Sequence, residues 1–276
     1  MEFVAELANL ALKIGDKHIF KSISMAVPDR GCTVLLGPSG TGKSTLLRVL
    51  SGQMLEHPSV TWTGDISVSG LSIEDCAAAL RPALVGQKAA LLVGSVWESI
   101  VGEWSERALL TQIEQRARLA AILRAWEQDD LIPLYTSTVL SLSGSQRGRL
   151  AIVRKALSGA PLLMLDEPTA NLSQAAELEV LNLIGHISEN TPVLVVTHKV
   201  NHAQKLADHV VLIASGVVKE QAVAVDFFGQ PSSESGRQFL RTGSCAEDPI
   251  QDGDKILFEN TDQVNEKTEL NHLHIN

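Results

Sequence analysis

The stretch Gly37-Pro38-Ser39-Gly40-Thr41-Gly42-Lys43-Ser44-Thr45 constrains this chain more than any other. It fits the pattern G-x-x-x-x-G-K-[ST] at every fixed position. Ahead of it, Cys32-Thr33-Val34-Leu35-Leu36 is apolar and partly β-branched, and reads as a buried strand. Behind it, Leu46-Leu47-Arg48-Val49-Leu50 reads as the start of a helix. In a strand–loop–helix setting the glycines let the backbone curl until several N–H groups point inward. The helix adds the positive end of its dipole. Such a loop cradles a polyphosphate. Lys43 is placed to reach the β- and γ-phosphates, and the Ser44 hydroxyl to bind Mg2+.

The rest of the chain supplies the sheet that this motif needs. Phe3 to about Val27 reads as two strands turning at Gly15-Asp16-Lys17, and Pro28-Asp29-Arg30-Gly31 turns into the motif strand. Gly52 to Gly64 reads as a loop, Asp65–Ser69 as a short strand, and Arg81–Gln87 as a strand ending on glutamine. From about Ser95 to Glu127, apolar residues recur at helical spacing, which predicts a helical region inserted into the α/β body, about 88–145. A helix from Arg147 to about Leu157, a strand at Leu162–Pro168, a helix at Ala175–Ser188 and a strand at Val193–His198 follow. Strands alternating with helices predict a mostly parallel sheet, whose ligands sit at the carboxyl ends of the strands. Gly37, Gln87, Asp166 and His198 all fall at or just past such ends.

Each has chemistry to offer there. Asp166 ends a buried apolar strand, where a carboxylate can hold Mg2+. Glu167 beside it would face the γ-phosphate and polarise an attacking water. His198 can hydrogen-bond a γ-phosphate oxygen, although a histidine after a strand also serves structurally. Gln87 can complete the metal shell or hold the water through its amide. Ser143-Gly144-Ser145-Gln146, after Leu142, is a hydroxyl-rich turn before the helix expected at Arg147. It reads either as an ordinary serine cap or as a second anion site. A head-to-tail dimer would have a use for the second reading, with this turn closing on the partner's nucleotide.

Together Gly37–Thr45, Gln87, Leu142–Gln146, Leu162–Glu167 and His198 resemble the Walker A, Q-loop, signature, Walker B and switch-histidine elements of ATP-binding cassette (ABC) ATPases, in that family's order. The resemblance covers about residues 3–225. It implies a P-loop NTPase fold: a RecA-like α/β core, an N-terminal antiparallel β-subdomain and a helical subdomain. It implies ATP and Mg2+ as ligands, and a dimer with two ATPs at its interface, most simply a homodimer. Within the family, Gly37–Gly40, Leu47-Arg48, Phe227-Phe228, Pro231 and Phe239-Leu240 are similar to import ATPases of the phosphate type. Three positions depart from the family pattern. Ile14 stands where an aromatic residue commonly stacks on adenine, Ser145 replaces the second signature glycine, and Ser173 replaces the D-loop aspartate.

The expected function is therefore ATP hydrolysis that powers solute transport through separate membrane permease subunits, with an extracytoplasmic binding protein reached through the permease. A soluble ABC ATPase acting on a cytoplasmic partner and a degenerate regulatory cassette stay open as alternatives. Composition bears on the partners. No apolar run approaches the roughly 20 residues of a membrane span, so the expected place is cytoplasmic, peripheral on the inner face of the cell membrane. The net charge of −9 argues against nucleic acid. Two-thirds of it lies beyond Ala246, where eight acidic residues face Lys255 and Lys267. That segment, too poor in apolar residues for a core, is expected to be a flexible tail over 243–276 after a cassette over 1–242. It is either a regulatory segment or a solvated extension. Cys32, Cys76 and Cys245 are too scattered for a disulfide framework or a zinc site, and His272 and His274 are weak metal candidates.

Overall fold

Strand β3, Cys32–Leu36, is buried at every position, as a strand covered on both faces must be. The computed structural model, which describes residues 2–87 and 94–245, sets it among the parallel strands β8 (Val193–Val196), β7 (Leu163–Asp166) and β6 (Ala83–Val85). On its other side runs β9, His209–Ala214, also parallel to it. β10, Val217–Val223, returns antiparallel to β9. β1 (Phe3–Ile14), β2 (Lys17–Pro28), β4 (Val60–Val68) and β5 (Leu71–Ser72) form an antiparallel group, and the whole order is β5-β4-β1-β2-β10-β9-β3-β8-β7-β6. The two groups meet where Val217 pairs with Ser22. The Gln221 side chain reinforces that seam: it donates to the Ala26 carbonyl at 2.7 Å and accepts from the Ala26 N–H at 3.3 Å.

The pleat divides the core in two. Cys32, Val34 and Leu36, with Leu163, Leu165, Val193 and Val195, face one hydrophobic cluster. Leu35, Met164, Leu194 and Val196 face the other. The first cluster is covered by α4 (Gly144–Ala156) and α5 (Gln174–Ser188), and takes in Ala203 of α6 (Val200–Leu206), Phe227 of α7 (Ala224–Gly229) and Phe239 of α8 (Glu234–Thr242). The second is filled by α1, Lys43–Leu50, against the antiparallel strands: Leu46, Leu47, Val49 and Leu50 meet Leu10, Leu12, Phe20 and Ile23. The helix after the phosphate-binding stretch is thus wedged between strand β3 and the N-terminal strands.

From residue 94 to α4 the chain is mostly helical. α2 (Val96–Val101) and α3 (Gln112–Ala125) both begin with capping boxes, Ser95 with Glu98 and Thr111 with Glu114. Three 3-10 turns, at Ser105–Leu109, Asp129–Leu134 and Val139–Ser141, link them to α4. Residues 88–93 of the insertion expected from sequence lie outside the described residues, as do 246–276 of the acidic tail, with His272 and His274.

Three expected boundaries move. β4 begins at Val60, inside the expected loop, because Gly64 at φ +97° lets the strand run on beside the irregular pairing at Asn9; a Cβ there would sit 2.5 Å from the Asn9 carbonyl oxygen. β6 covers only Ala83–Val85, so Gln87 lies past the strand. α4 begins at Gly144, three residues before the expected Arg147, because Ser143 is its cap.

Candidate functional site

Gly37 follows the last residue of β3 with its Cα under the Ile213 carbonyl oxygen of β9. A Cβ there would lie 2.0 Å from that oxygen at φ +149°, so no side chain fits. Gly42, at φ +90°, caps α1 with Ile19 and Phe20 packed where a side chain would be. Between them Pro38 is half-buried, Ser39 and Gly40 are exposed, and Thr41 closes the loop by donating to the Pro38 carbonyl at 2.9 Å. Lys43 is buried and folds back across the loop. Its Nζ donates to the Gly37 and Pro38 carbonyls at 2.8 and 2.7 Å and lies 3.4 Å from Thr41 Oγ1. Burial holds its ammonium below the usual lysine range, against the pull of Glu167 and Asp166. Ser44 and Thr45 follow, half-buried in the first turn of α1.

Parallel pairing brings the other strand ends alongside. Asp166, the last residue of β7, accepts from Ser44 Oγ at 3.0 Å. Burial raises its carboxyl above the ordinary range; the Ser44 bond pulls it back and the Glu167 charge pushes it further up. Glu167 follows at φ +50°, its N–H bonded to the Val196 carbonyl of β8 at 3.0 Å. That conformation is uncommon for a non-glycine residue. It turns the carboxylate to His198, whose Nδ1 lies 2.9 Å from Glu167 Oε1. The imidazole is otherwise open, with a side chain 56% exposed against 13% for Glu167. Gln87, exposed two residues beyond β6, lies at the same end of the sheet, since β6 runs parallel to β7. Lys43, Ser44, Asp166, Glu167 and His198 therefore converge at one mouth. They offer a cation for phosphate oxygens, a hydroxyl–carboxylate pair suited to a hard divalent ion, and a carboxylate–imidazole pair suited to activating water.

Ser143, Gly144, Ser145 and Gln146 form the cap and first turn of α4 instead of a turn ahead of it. Ser143 Oγ accepts from the Gln146 N–H at 3.1 Å, while Gln146 Oε1 accepts from the Ser143 N–H at 3.0 Å. Ser145 donates to Glu179 of α5 at 3.2 Å. Among the described residues none of their bonds runs to the phosphate-binding loop, so one protomer does not bring the two halves together. Arg149, one turn further along, is anchored by Asp130 at 2.8 and 2.6 Å and by Gln128 at 2.7 Å. Ser173 caps α5, accepting from the Ala176 N–H at 3.4 Å. Ile14 ends β1 opposite Lys17 and Val60.

Behind the mouth stands a polar cluster that sequence reading passes over: Thr169, Glu177, Lys199 and His202. Only His202, four residues beyond His198, carries a local signal. Glu177 stands 22 residues before Lys199 and 25 before His202, and no pattern joins them.

The model of the family described as ABC transporter matches residues 20–170, more than half of the chain. The chain belongs to the ABC transporter family. It is an ATP-binding subunit of that family and an ATPase, and its architecture is the α/β P-loop NTPase fold of the cassette. A phosphate import ATP-binding protein of Bacillus licheniformis is 26% identical over 245 residues, 87% of this chain and 95% of the relative. A probable ABC transporter ATP-binding protein of Campylobacter jejuni is 31% identical over 244 residues, 85% of this chain and 97% of the relative. Among solved structures, a bacterial Atm1-family ABC exporter with ATP bound matches with a TM-score of 0.69 at 22% identity. That match covers 86% of this cassette, which spans only 41% of the exporter chain, and it speaks to the fold alone. Among the described residues of the cassette, no helix is long and apolar enough to cross a membrane.

Proposed function

We propose that this cassette drives the import of phosphate or a similar small solute through separate permease subunits, from the inner face of the cell membrane. The observation that carries the chemistry is the convergence of Ser44 on Asp166 and of Glu167 on His198 beside Lys43. In this reading Gly37–Thr45 wraps the ATP phosphates, with Lys43 released from the Gly37 and Pro38 carbonyls to the β- and γ-phosphates. Ser44, Asp166 and Gln87 hold Mg2+, which neutralises phosphate charge. The hard oxygen donors and the raised Asp166 carboxyl fit that ion. Glu167 accepts a proton from the attacking water, and His198 orients Glu167 and meets the γ-phosphate. Ser143–Gln146 makes no bond to the phosphate-binding loop among the described residues and completes the site on a second cassette, as a head-to-tail homodimer requires. The domain runs over 1–242, its helical insertion over about 88–145 receives the permease, and 243–276 forms a flexible tail.

Import is favoured over export because relatives matched along nearly their whole length are named phosphate import ATP-binding proteins. The permease then leads through its binding protein to the solute. Two measurements test the reading. Glu167→Gln should lower turnover by about 100- to 10,000-fold, the range for loss of a general base, while ATP still binds. Co-purification from detergent-solubilised membranes should recover a polytopic permease, and phosphate uptake should fall in cells carrying Glu167→Gln. Undiminished hydrolysis would overturn the assignment of Glu167. A soluble partner in place of a permease would overturn transport.

A further inference from the structure

Glu177, on the first turns of α5, makes no hydrogen bond to the phosphate-binding loop or to the carboxylates at its mouth among the described residues, yet its side chain is only 17% exposed. Both its oxygens are engaged. Lys199 Nζ donates to Oε1, and His202 Nε2 lies 3.1 Å from Oε2. A carboxylate only accepts, so His202 carries its hydrogen on Nε2. Its Nδ1 is then the acceptor for the Thr169 hydroxyl at 3.1 Å. Thr169 and His202 are buried, 2% and 4% exposed. Burial holds the His202 ring below the usual histidine range, with Lys199 adding to the effect, which keeps Nδ1 free to accept.

These bonds close a circuit. Thr169 stands two residues after Glu167, in the turn held by the Ala170 N–H on the Glu167 carbonyl at 3.0 Å. Lys199 directly follows His198, and its N–H is fixed on Thr197 Oγ1 at 3.1 Å. Starting from the Glu167–His198 bond, the path runs along the chain to Lys199, across to Glu177, across to His202 and Thr169, and along the chain back to Glu167. The geometry assigns Glu177 as a positioning residue for the Glu167–His198 pair: it grips Lys199 and His202 on the segment carrying the imidazole, and by holding the hydrogen on His202 Nε2 it sets Nδ1 to accept from Thr169, the tie to the turn carrying the carboxylate. Without Glu177 that tie loses the partner that orients its imidazole, and the Glu167 turn and the His198 segment are left with the Glu167 N–H on Val196 and the Glu167–His198 bond itself. This rests on Glu167 and His198 being the hydrolytic pair.

The test uses the full chain with Glu177→Ala, Lys199→Ala, the double variant and Lys199→Arg. Loss of the tie should lower kcat about ten- to a hundredfold, the scale of an ångström-sized misplacement, with KM for ATP close to wild type. The double variant should be no worse than Glu177→Ala, because that change already removes the partner of Lys199. Lys199→Arg should recover most of the rate. An unchanged kcat in Glu177→Ala, or losses that multiply in the double variant, would overturn the assignment. If Glu177→Ala does not fold, Glu177→Gln keeps the volume and one acceptor and carries the same test. Imidazole NMR gives a reading apart from turnover: the His198 resonances should move in the Glu177 variant, while those of His209, at the opposite end of the parallel strands, stay. Unmoved His198 resonances overturn the tie. Glu167→Gln is run in parallel. Should it hydrolyse ATP at the wild-type rate, the pair itself fails; should it be silent while Glu177→Ala runs at full rate, only the tie fails.

Discussion

Ser44 donates its hydroxyl to Asp166 across 3.0 Å, joining the first turn of α1 to the last residue of β7 over 122 positions of sequence. The acceptor is a buried carboxylate whose pKa is raised, first by burial and further by the Glu167 charge. Such a group takes up a proton at higher pH than an ordinary carboxyl. Where it is protonated, Mg2+ binding must displace that proton, so affinity for Mg2+–ATP should weaken as pH falls through the raised Asp166 pKa. Calorimetric titration of Mg2+–ATP at several pH values checks this. Asp166→Asn should flatten the pH dependence and lower turnover by about 100-fold or more, the usual cost of losing one electrostatic stabiliser.

Lys43 shifts the opposite way. Burial lowers its pKa, and among the described residues its ammonium is satisfied by carbonyls and a hydroxyl. Polyphosphate brings negative charge to Nζ and must raise the pKa. A group whose pKa rises on binding takes up protons at pH values between the two pKa values. ATP binding in alkaline buffer should therefore be accompanied by proton uptake, seen as a dependence of the calorimetric enthalpy on the buffer's ionisation enthalpy. Lys43→Met should abolish that dependence and weaken ATP binding.

Arg149 holds α4 to the helical insertion. Its guanidinium is 6% exposed, paired with Asp130 and Gln128 and within 3.5 Å of Glu179, which also takes Ser145. The Asp130 side chain is 46% exposed and can turn to water when the arginine is lost. Arg149→Ala should therefore cost about 1–3 kcal/mol, below the range for a fully buried pair. Chemical denaturation measures it. Hydrogen exchange should show the first turn of α4 opening sooner than β3.

What was legible in the sequence follows physical range. Gly37–Thr45 could be read because its spacing is local and its geometry tolerates few substitutions, as Gly37 under the Ile213 carbonyl shows. β3, β7 and β8 could be read because strands buried on both faces need unbroken apolar runs. Strand ends that are neighbours in a parallel sheet carry Asp166 and His198 to one mouth, so the alternation of elements sufficed. The start of α4 was misread because Ser143 and Gln146 satisfy one another in a capping box, which glycine and serine in the first turn disguise as a loop. β4 was shortened because Gly64 resembles a terminator until its partner Asn9 is known. Glu177 was invisible: its two partners lie across a helix and a strand, and paired charges far apart in sequence leave no period.

Glu220, on β10, offers a stability test apart from catalysis. It is 7% exposed, and its carboxylate accepts from the N–H and hydroxyl of Ser232 and of Ser233 at 2.6 to 3.0 Å. Ser233 in turn caps α8. Burial alone would raise the Glu220 pKa, but the serine donors outweigh it and the pKa lies below the usual 4.5. A carboxylate with a depressed folded pKa stabilises fully above its unfolded value, and that contribution fades as pH falls through the folded pKa. Glu220→Gln has one acceptor oxygen for donors that need two, and it turns an amide N–H toward them. It should cost about 1–3 kcal/mol at neutral pH, the price of buried donors left unmet. The gap between variant and wild type should then narrow below pH 4.5, where the wild-type carboxylate takes up its proton. Urea unfolding between neutral and acidic pH measures both curves. A gap that stays constant across that range would mean that the carboxylate charge contributes nothing to the hold on α8.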